Sequence, residues 1–214
     1  MSSLSHRPWS SWVEFSHQLS QIADGLCYLH SRDVIHGDLK GVRGRLECCL
    51  TAAFTPLQSN VLVEVVDKVP RALIADFGIA IVTKNSNSIR SDTRQPHYHP
   101  RWSAPEVLNG ENPTIESDVF SFGMTMFEVR RCRSTLNAHL AHCRLLLIQV
   151  FDGPPFSGKS DYKAAAEILR GNRPPRPEHP SCTDDLWALM KRCWDGDLHS
   201  RPSALEISQT LLVQ

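Results

Sequence analysis

Apolar residues at Leu19, Ile22, Ala23, Leu26 and Leu29 recur at steps of three and four, the period of a helix with one buried face. The pattern predicts an amphipathic helix from Val13 to His30, which runs straight into Val34-Ile35-His36-Gly37-Asp38-Leu39-Lys40. Asn60 to Val66 and Arg71 to Asp76 then read as two short β-rich runs joined by a turn around Asp67-Lys68. Residues 83–100 are rich in Ser, Asn, Arg and His without a period, so an exposed loop is predicted there, with His97, Tyr98 and His99 in solvent. The run Ser117 to Val129 is apolar nearly all round, which predicts a helix buried on every side. Thr183 is placed to cap a helix with Asp184 and Asp185 in its first turn and Leu186, Met190, Cys193 and Trp194 on one face. A last helix is expected after Ser203, with Glu206 at the spacing of a capping box. The sum is a mainly α chain with one short β-hairpin.

Composition narrows the classes. The chain has 214 residues, 41% of them hydrophobic and 21% charged, enough for one sizeable core. Lys plus Arg and Asp plus Glu both number 23, so no overall field draws the chain to nucleic acid or to an anionic membrane. Apolar runs such as Leu145 to Ile148 are too short to span a bilayer, and Ser5-His6-Arg7-Pro8 is not followed by an apolar signal core. The expectation is a cytoplasmic or nuclear protein. Its 7 cysteines are an odd number without regular spacing, which speaks against a disulfide framework. Cys27 and Cys193 are expected to pack within helices.

The ordered set His36-Gly37-Asp38-Leu39-Lys40, Asn60, Asp76-Phe77-Gly78, Ala104-Pro105-Glu106, Asp118 and Arg201 resembles the lower, mostly helical lobe of eukaryotic protein kinases. The resemblance spans almost the whole chain and keeps the family's order. It implies transfer of the ATP γ-phosphoryl group to a protein hydroxyl with Mg²⁺. By this resemblance Asp38 orients the incoming hydroxyl and accepts its proton, Lys40 steadies the moving phosphoryl group, and Asn60 and Asp76 are oxygen ligands for Mg²⁺. Glu106 and Arg201 match a buried structural ion pair, and Asp118 a helix residue that holds the catalytic loop by hydrogen bonds. His36, Phe77 and Gly78 complete the structural set. Lys40, following Asp38 by two residues, is the serine/threonine pattern, and "HGDLKG" with "ADFGIA" looks most like the tyrosine-kinase-like group. The family's usual Arg before the catalytic Asp is Gly37 here, which puts control through a phosphorylated Ser91 or Thr93 in doubt.

Two segments interrupt the pattern. Removing residues 42–58 leaves "HGDLKG" joined to "SNVLV" and restores the family spacing between Asp38 and Asn60. Removing residues 129–149 joins "MTMFE" to "VFDGPPF". Each segment begins with Val, whose codons start with GT, and ends with Gln, which CAG encodes. These are the edge signals of an intron, so both are read as introns translated in frame, irregular and poorly packed if present. Genuine loop insertions are the alternative, since surface loops lengthen at little thermodynamic cost.

No lysine precedes Lys40, and the only glycines before it are Gly25 and Gly37, so the glycine-rich loop and strand lysine of an ATP-gripping upper lobe are missing from these residues. The expectation is a lower lobe without its upper partner, weak or inactive as it stands. One alternative is a non-catalytic binding module. Another is a P-loop NTPase, because Gly153 to Ser160, "GPPFSGKS", matches the phosphate-loop pattern, although Pro154 and Pro155 remove two of the N–H groups such a loop needs. Cys132, His139, His142 and Cys143 hint at zinc, but their spacing fits no common finger.

Overall fold

The computed structural model describes residues 12–44, 60–66, 69–77, 80–82, 99–128, 154–178 and 182–213. Helix α1, Trp12–Ser31, buries Leu19, Ile22, Ala23 and Leu26 completely, as the three-and-four period requires. Its buried face meets helix α6, Ala204–Val213, and strand β4, Val69–Ile74. Two polar contacts fix this seating: Gln21 Oε1 accepts from the Ala72 N–H at 2.8 Å, and Ser208 Oγ donates to Asp24 Oδ1 at 2.5 Å.

Strand β3, Val61–Val66, pairs antiparallel with β4 from Val61↔Ile74 to Val66↔Val69, which is the expected hairpin. Its linking pair Asp67-Lys68 lies outside the described residues. Two further pairings were not anticipated. β1, Val34–Ile35, pairs antiparallel with β5, Ile81–Val82. β2, Val42–Gly44, pairs parallel with Val61–Val63, so the first residues of the segment expected to be irregular form an ordered strand. The backbone supplies the reason: a strand whose outer edge is open offers unpaired N–H and C=O groups to any extended chain alongside it. Residues 45–58 and 129–149 otherwise lie outside the described residues, as do Gly78, Ser91, Thr93, His97, Tyr98 and the four Cys and His residues considered for zinc.

Helix α3, Ile115–Glu128, is the buried helix predicted, with residues 117–127 all buried. Its polar members are satisfied locally: Ser121 Oγ donates to Ser117 O and Trp102 O, and Thr125 Oγ1 to Ser121 O. α3 packs on helix α5, Asp184–Cys193, where Thr183 accepts from the Leu186 N–H as its cap and Leu186, Leu189, Met190 and Cys193 are buried. Burial pushes the Cys193 thiol up to about 12, so it serves as packing. Gly123 of α3 is required where it stands: a Cβ there would lie 2.5 Å from Trp194 Nε1. At α6 the capping box is complete, with the Ser203 N–H donating to Glu206 Oε2 at 2.7 Å and the Glu206 N–H to Ser203 Oγ at 3.2 Å.

Helix α2, Pro105–Leu108, carries Glu106, which takes both ends of the Arg201 guanidinium at 2.6 and 3.0 Å. The Arg201 side chain is fully buried, its remaining donors reach Glu116 O and Asp195 O, and it lies over the Phe120 ring at 5.1 Å. This is the bidentate, fully bonded arrangement a buried pair needs to repay desolvation. Glu106→Ala strands the Arg201 charge and should destabilise the chain by about 3–5 kcal/mol, read as a lowered denaturation midpoint in urea.

Candidate active site

The site begins with one buried carboxylate. Asp118, in the first turn of α3, accepts from the backbone N–H groups of His36 and Gly37, each at 2.8 Å, and from His30 Nε2 at 3.0 Å. Three donors from two elements thus converge on a side chain 1% exposed, which is why an ionised group is tolerated there. Gly37 takes φ +76°, a conformation that a side chain disfavours, so the chain can turn both amides toward Asp118.

His36, fully buried, carries the arrangement onward. The Asp38 N–H donates to its Nδ1 at 3.2 Å, so its proton sits on Nε2 and donates to Ala75 O, also at 3.2 Å. Phe77 tilts against the His36 ring with centroids 5.7 Å apart, and about half of Phe77 is exposed. The loop from His36 to Lys40 is thereby tied to Ala75 at the end of β4 and to Phe77.

Asn60 closes the circuit. Its N–H donates to Lys40 O at 2.9 Å, its carbonyl accepts from the Ala75 N–H at 2.8 Å, and its side-chain Nδ2 donates to Asp38 O at 2.5 Å and Asp38 Oδ2 at 3.2 Å. Asp38 and Asn60 are therefore adjacent although 22 residues separate them in sequence. With Nδ2 committed to Asp38, Asn60 offers its Oδ1 as an acceptor. Asp76 is exposed in a left-handed conformation, φ +63°, and its carboxylate has no hydrogen-bond partner among the described residues. An amide oxygen and a free carboxylate on adjoining backbone are hard oxygen donors of the kind Mg²⁺ takes together with phosphate oxygens. Among the described residues no group of three or more His, Cys, Asp or Glu is placed to hold a metal.

Asp38 and Lys40 form a close ion pair. Lys40 Nζ lies 2.6 Å from Asp38 Oδ2, with the two side chains 4% and 13% exposed. His99 completes a triangle: its Nδ1 is 2.9 Å from Asp38 Oδ1, and Lys40 Nζ is 2.7 Å from Nδ1 and 3.2 Å from Nε2. The solvated loop expected at His99 is thus corrected, since its side chain is 26% exposed and engaged on two sides. A turn holds it there, with the Trp102 N–H and Ser103 Oγ both donating to His99 O. Burial raises the Asp38 carboxyl, but the hydrogen bonds from His99 and Lys40 and their attraction outweigh it, leaving the group below its ordinary 3.8.

His30 and His99 were not singled out as site residues by sequence reasoning, and neither was Arg101. The Arg101 guanidinium bonds Pro155 O, Phe156 O, Lys159 O and Asp161, clamping the loop that resembles a phosphate loop. In that loop the Lys159 N–H is spent on Phe156 O, its Nζ bonds Glu167 at 2.9 Å, and Ser160 caps helix α4, Asp161–Leu169. These groups serve the loop's own structure and leave no phosphate cradle.

An Asp–Lys pair bound to a distant Asn, hung from a buried helix carboxylate and followed by Asp76-Phe77 after a hairpin, narrows the choice of family to one. The protein tyrosine and serine/threonine kinase family model matches residues 6–211. The chain belongs to that family. Its relatives in Acanthamoeba polyphaga mimivirus include two proteins named as serine/threonine-protein kinase/receptor. One, R818, is 35% identical over 192 residues, covering 88% of this chain and 9% of its own length. The other, R831, is 30% identical over 207 residues, covering 94% and 10%. This kinase chain thus spans about a tenth of the length of those relatives. Among the described residues no helix is long and apolar enough to cross a membrane.

Two outcomes test the site's construction. Asp118→Ala leaves three buried donors unsatisfied at about 1–3 kcal/mol each, so chemical denaturation should report a loss above about 3 kcal/mol. Asp38, held below its unfolded value of 3.8, contributes stability that is present above that pH and lost as pH falls through the folded value. The difference in melting temperature between wild type and Asp38→Asn should therefore shrink as pH drops below 3.8.

Proposed function

We propose that the chain is the lower lobe of a serine/threonine protein kinase of the tyrosine-kinase-like kind, built to transfer the ATP γ-phosphoryl group to a protein hydroxyl. The observation that carries this reading is the contact of Asn60 with Asp38 across 22 residues of sequence, because it sets a candidate Mg²⁺ ligand beside the candidate base as phosphoryl transfer requires. Asp38 would orient the acceptor hydroxyl and take its proton, and Lys40 would offset charge on the phosphoryl oxygens. Asn60 and Asp76 would hold Mg²⁺, which when bound neutralises phosphate charge. Lys40, two residues beyond Asp38, supports the serine/threonine assignment, and the family names of the viral relatives agree with it.

As given, the chain should turn over weakly or not at all. Residues ahead of Lys40 contain no lysine to pair the α- and β-phosphates, so the nucleotide would be gripped from one side only. Misplacing a reacting group by about 1 Å costs on the order of a hundredfold in rate. Residues 42–58 and 129–149 are proposed to be translated introns, and full-length cDNA joining Gly41 to Ser59 and Glu128 to Val150 would bear that out.

A second reading is a non-catalytic binding module. The two part company in one experiment. The chain is assayed with Mg-ATP and a serine acceptor, alone and fused to a kinase upper lobe. The first reading expects turnover that rises on fusion by about a hundredfold or more and is abolished by Asp38→Ala. No nucleotide binding and no turnover in either form would favour the second.

A further inference from the structure

The Asp38–Lys40–His99 triangle has one consistent arrangement of protons. Asp38 accepts only, so His99 must donate to Oδ1 through Nδ1–H, and the Lys40 ammonium, 2.7 Å from that nitrogen and 3.2 Å from Nε2, lies against the ring with Nε2 the one ring nitrogen left to accept. Asp38 Oδ2 then holds Lys40 and Asn60, and Oδ1 holds His99. Of the three triangle side chains His99 is the most exposed, so the imidazole covers the carboxylate from the open side.

Resting on the phosphoryl-transfer reading, we propose that His99 is a gate on the acceptor site: its imidazole occupies the place on Asp38 Oδ1 that an incoming hydroxyl must take. A hydroxyl delivering its proton to Asp38 needs a hydrogen bond of about 2.6–3.2 Å to that carboxylate, and His99 Nδ1 already stands within that range at 2.9 Å. The His99 carbonyl is anchored by the Trp102 N–H and Ser103 Oγ, at 3.0 and 3.1 Å. Opening therefore proceeds by rotation of the side chain, leaving the turn intact. The Trp102 ring, edge-on at 6.4 Å, forms the wall beside it.

The gate is tested by two readouts on the full 214-residue chain. The first is ¹⁵N-detected NMR of the histidine side chains, with His99 assigned by its loss in His99→Ala. The proposal expects the His99 proton on Nδ1 in the wild type and a changed Nδ1 signal in Asp38→Asn; an Nδ1 signal that is the same in both overturns it. The second is acceptor kinetics in the upper-lobe fusion. If the closed state outweighs the open about tenfold, His99→Ala should lower the acceptor KM about tenfold and leave the ATP KM unchanged. His99→Asn, which keeps a donor near the Nδ1 position, should retain the high acceptor KM. A His99→Ala chain with a reduced kcat and an unaltered acceptor KM would make His99 a positioning residue and sink the gate. Absence of turnover in every fusion chain would instead remove the phosphoryl-transfer reading and the gate that rests on it, an outcome distinct from turnover with an unaltered acceptor KM.

Discussion

The site depends on the Asp118 carboxylate. It is nearly inaccessible to water, yet it accepts from two successive backbone amides of the catalytic loop and from His30 at the end of α1. A carboxylate in that position fixes the direction of the loop and leaves only one conformation in which all three donors are satisfied. His36 and Asn60 then hand the constraint on, the first to Ala75 and the second to Asp38 and Lys40. Asp38 is positioned at the end of this chain of bonds, and its carboxylate is held in turn by Lys40, Asn60 and His99. That order explains how a site can keep its geometry while one of its connecting loops grows.

Burial of charge is handled by one rule throughout. Glu106 with Arg201, Asp118 with its amides, and Lys40 with Asp38 each have their charge met by several partners within hydrogen-bond reach. Isolated, any of these would cost more than the core around it can supply. The difference lies in what surrounds them. Arg201 is sealed against Phe120 and serves the fold, whereas Asp38 and Lys40 lie beside the more exposed His99. The same pairing is thus structural in one place and available for chemistry in the other.

Much of this was legible in the sequence, and the reason differs by element. α1, α5 and α6 declare themselves because their apolar periods and caps are local, and the capping atoms at Thr183 and Ser203 contact the residues the spacing names. Asp38, Lys40, Asn60 and Asp118 were legible through motif order, and Glu106 with Arg201 through the same resemblance. His99 was hidden because it follows an aperiodic polar run, and its role comes from a turn closed by Trp102 and Ser103. His30 looked like one more residue of the last turn of α1, since nothing local reveals a partner 88 positions away. β2 was hidden for a further reason: a three-residue strand has no period of its own, and its order comes from the open edge of β3.

The interruption between Asp38 and Asn60 can be weighed by one hydrogen bond. The Asn60 N–H donates to Lys40 O at 2.9 Å. If residues 42–58 are removed, Asn60 becomes the third residue after Lys40, and this bond becomes the closing bond of a β-turn through Gly41 and Ser59. Gly41 already has φ +46°, the sign that a primed turn demands at its first central position. Lengthening a loop costs only about 0.6 kcal/mol per doubling, so the added residues need not disturb the bond they bypass. The pairing of Val42–Gly44 with β3 is the one described contact that the shorter chain would lose, and it lies beyond the mouth, outside the bonds among Asp38, Lys40 and Asn60. Joining Gly41 to Ser59 would therefore leave Asp38, Lys40 and Asn60 bonded to one another as they are.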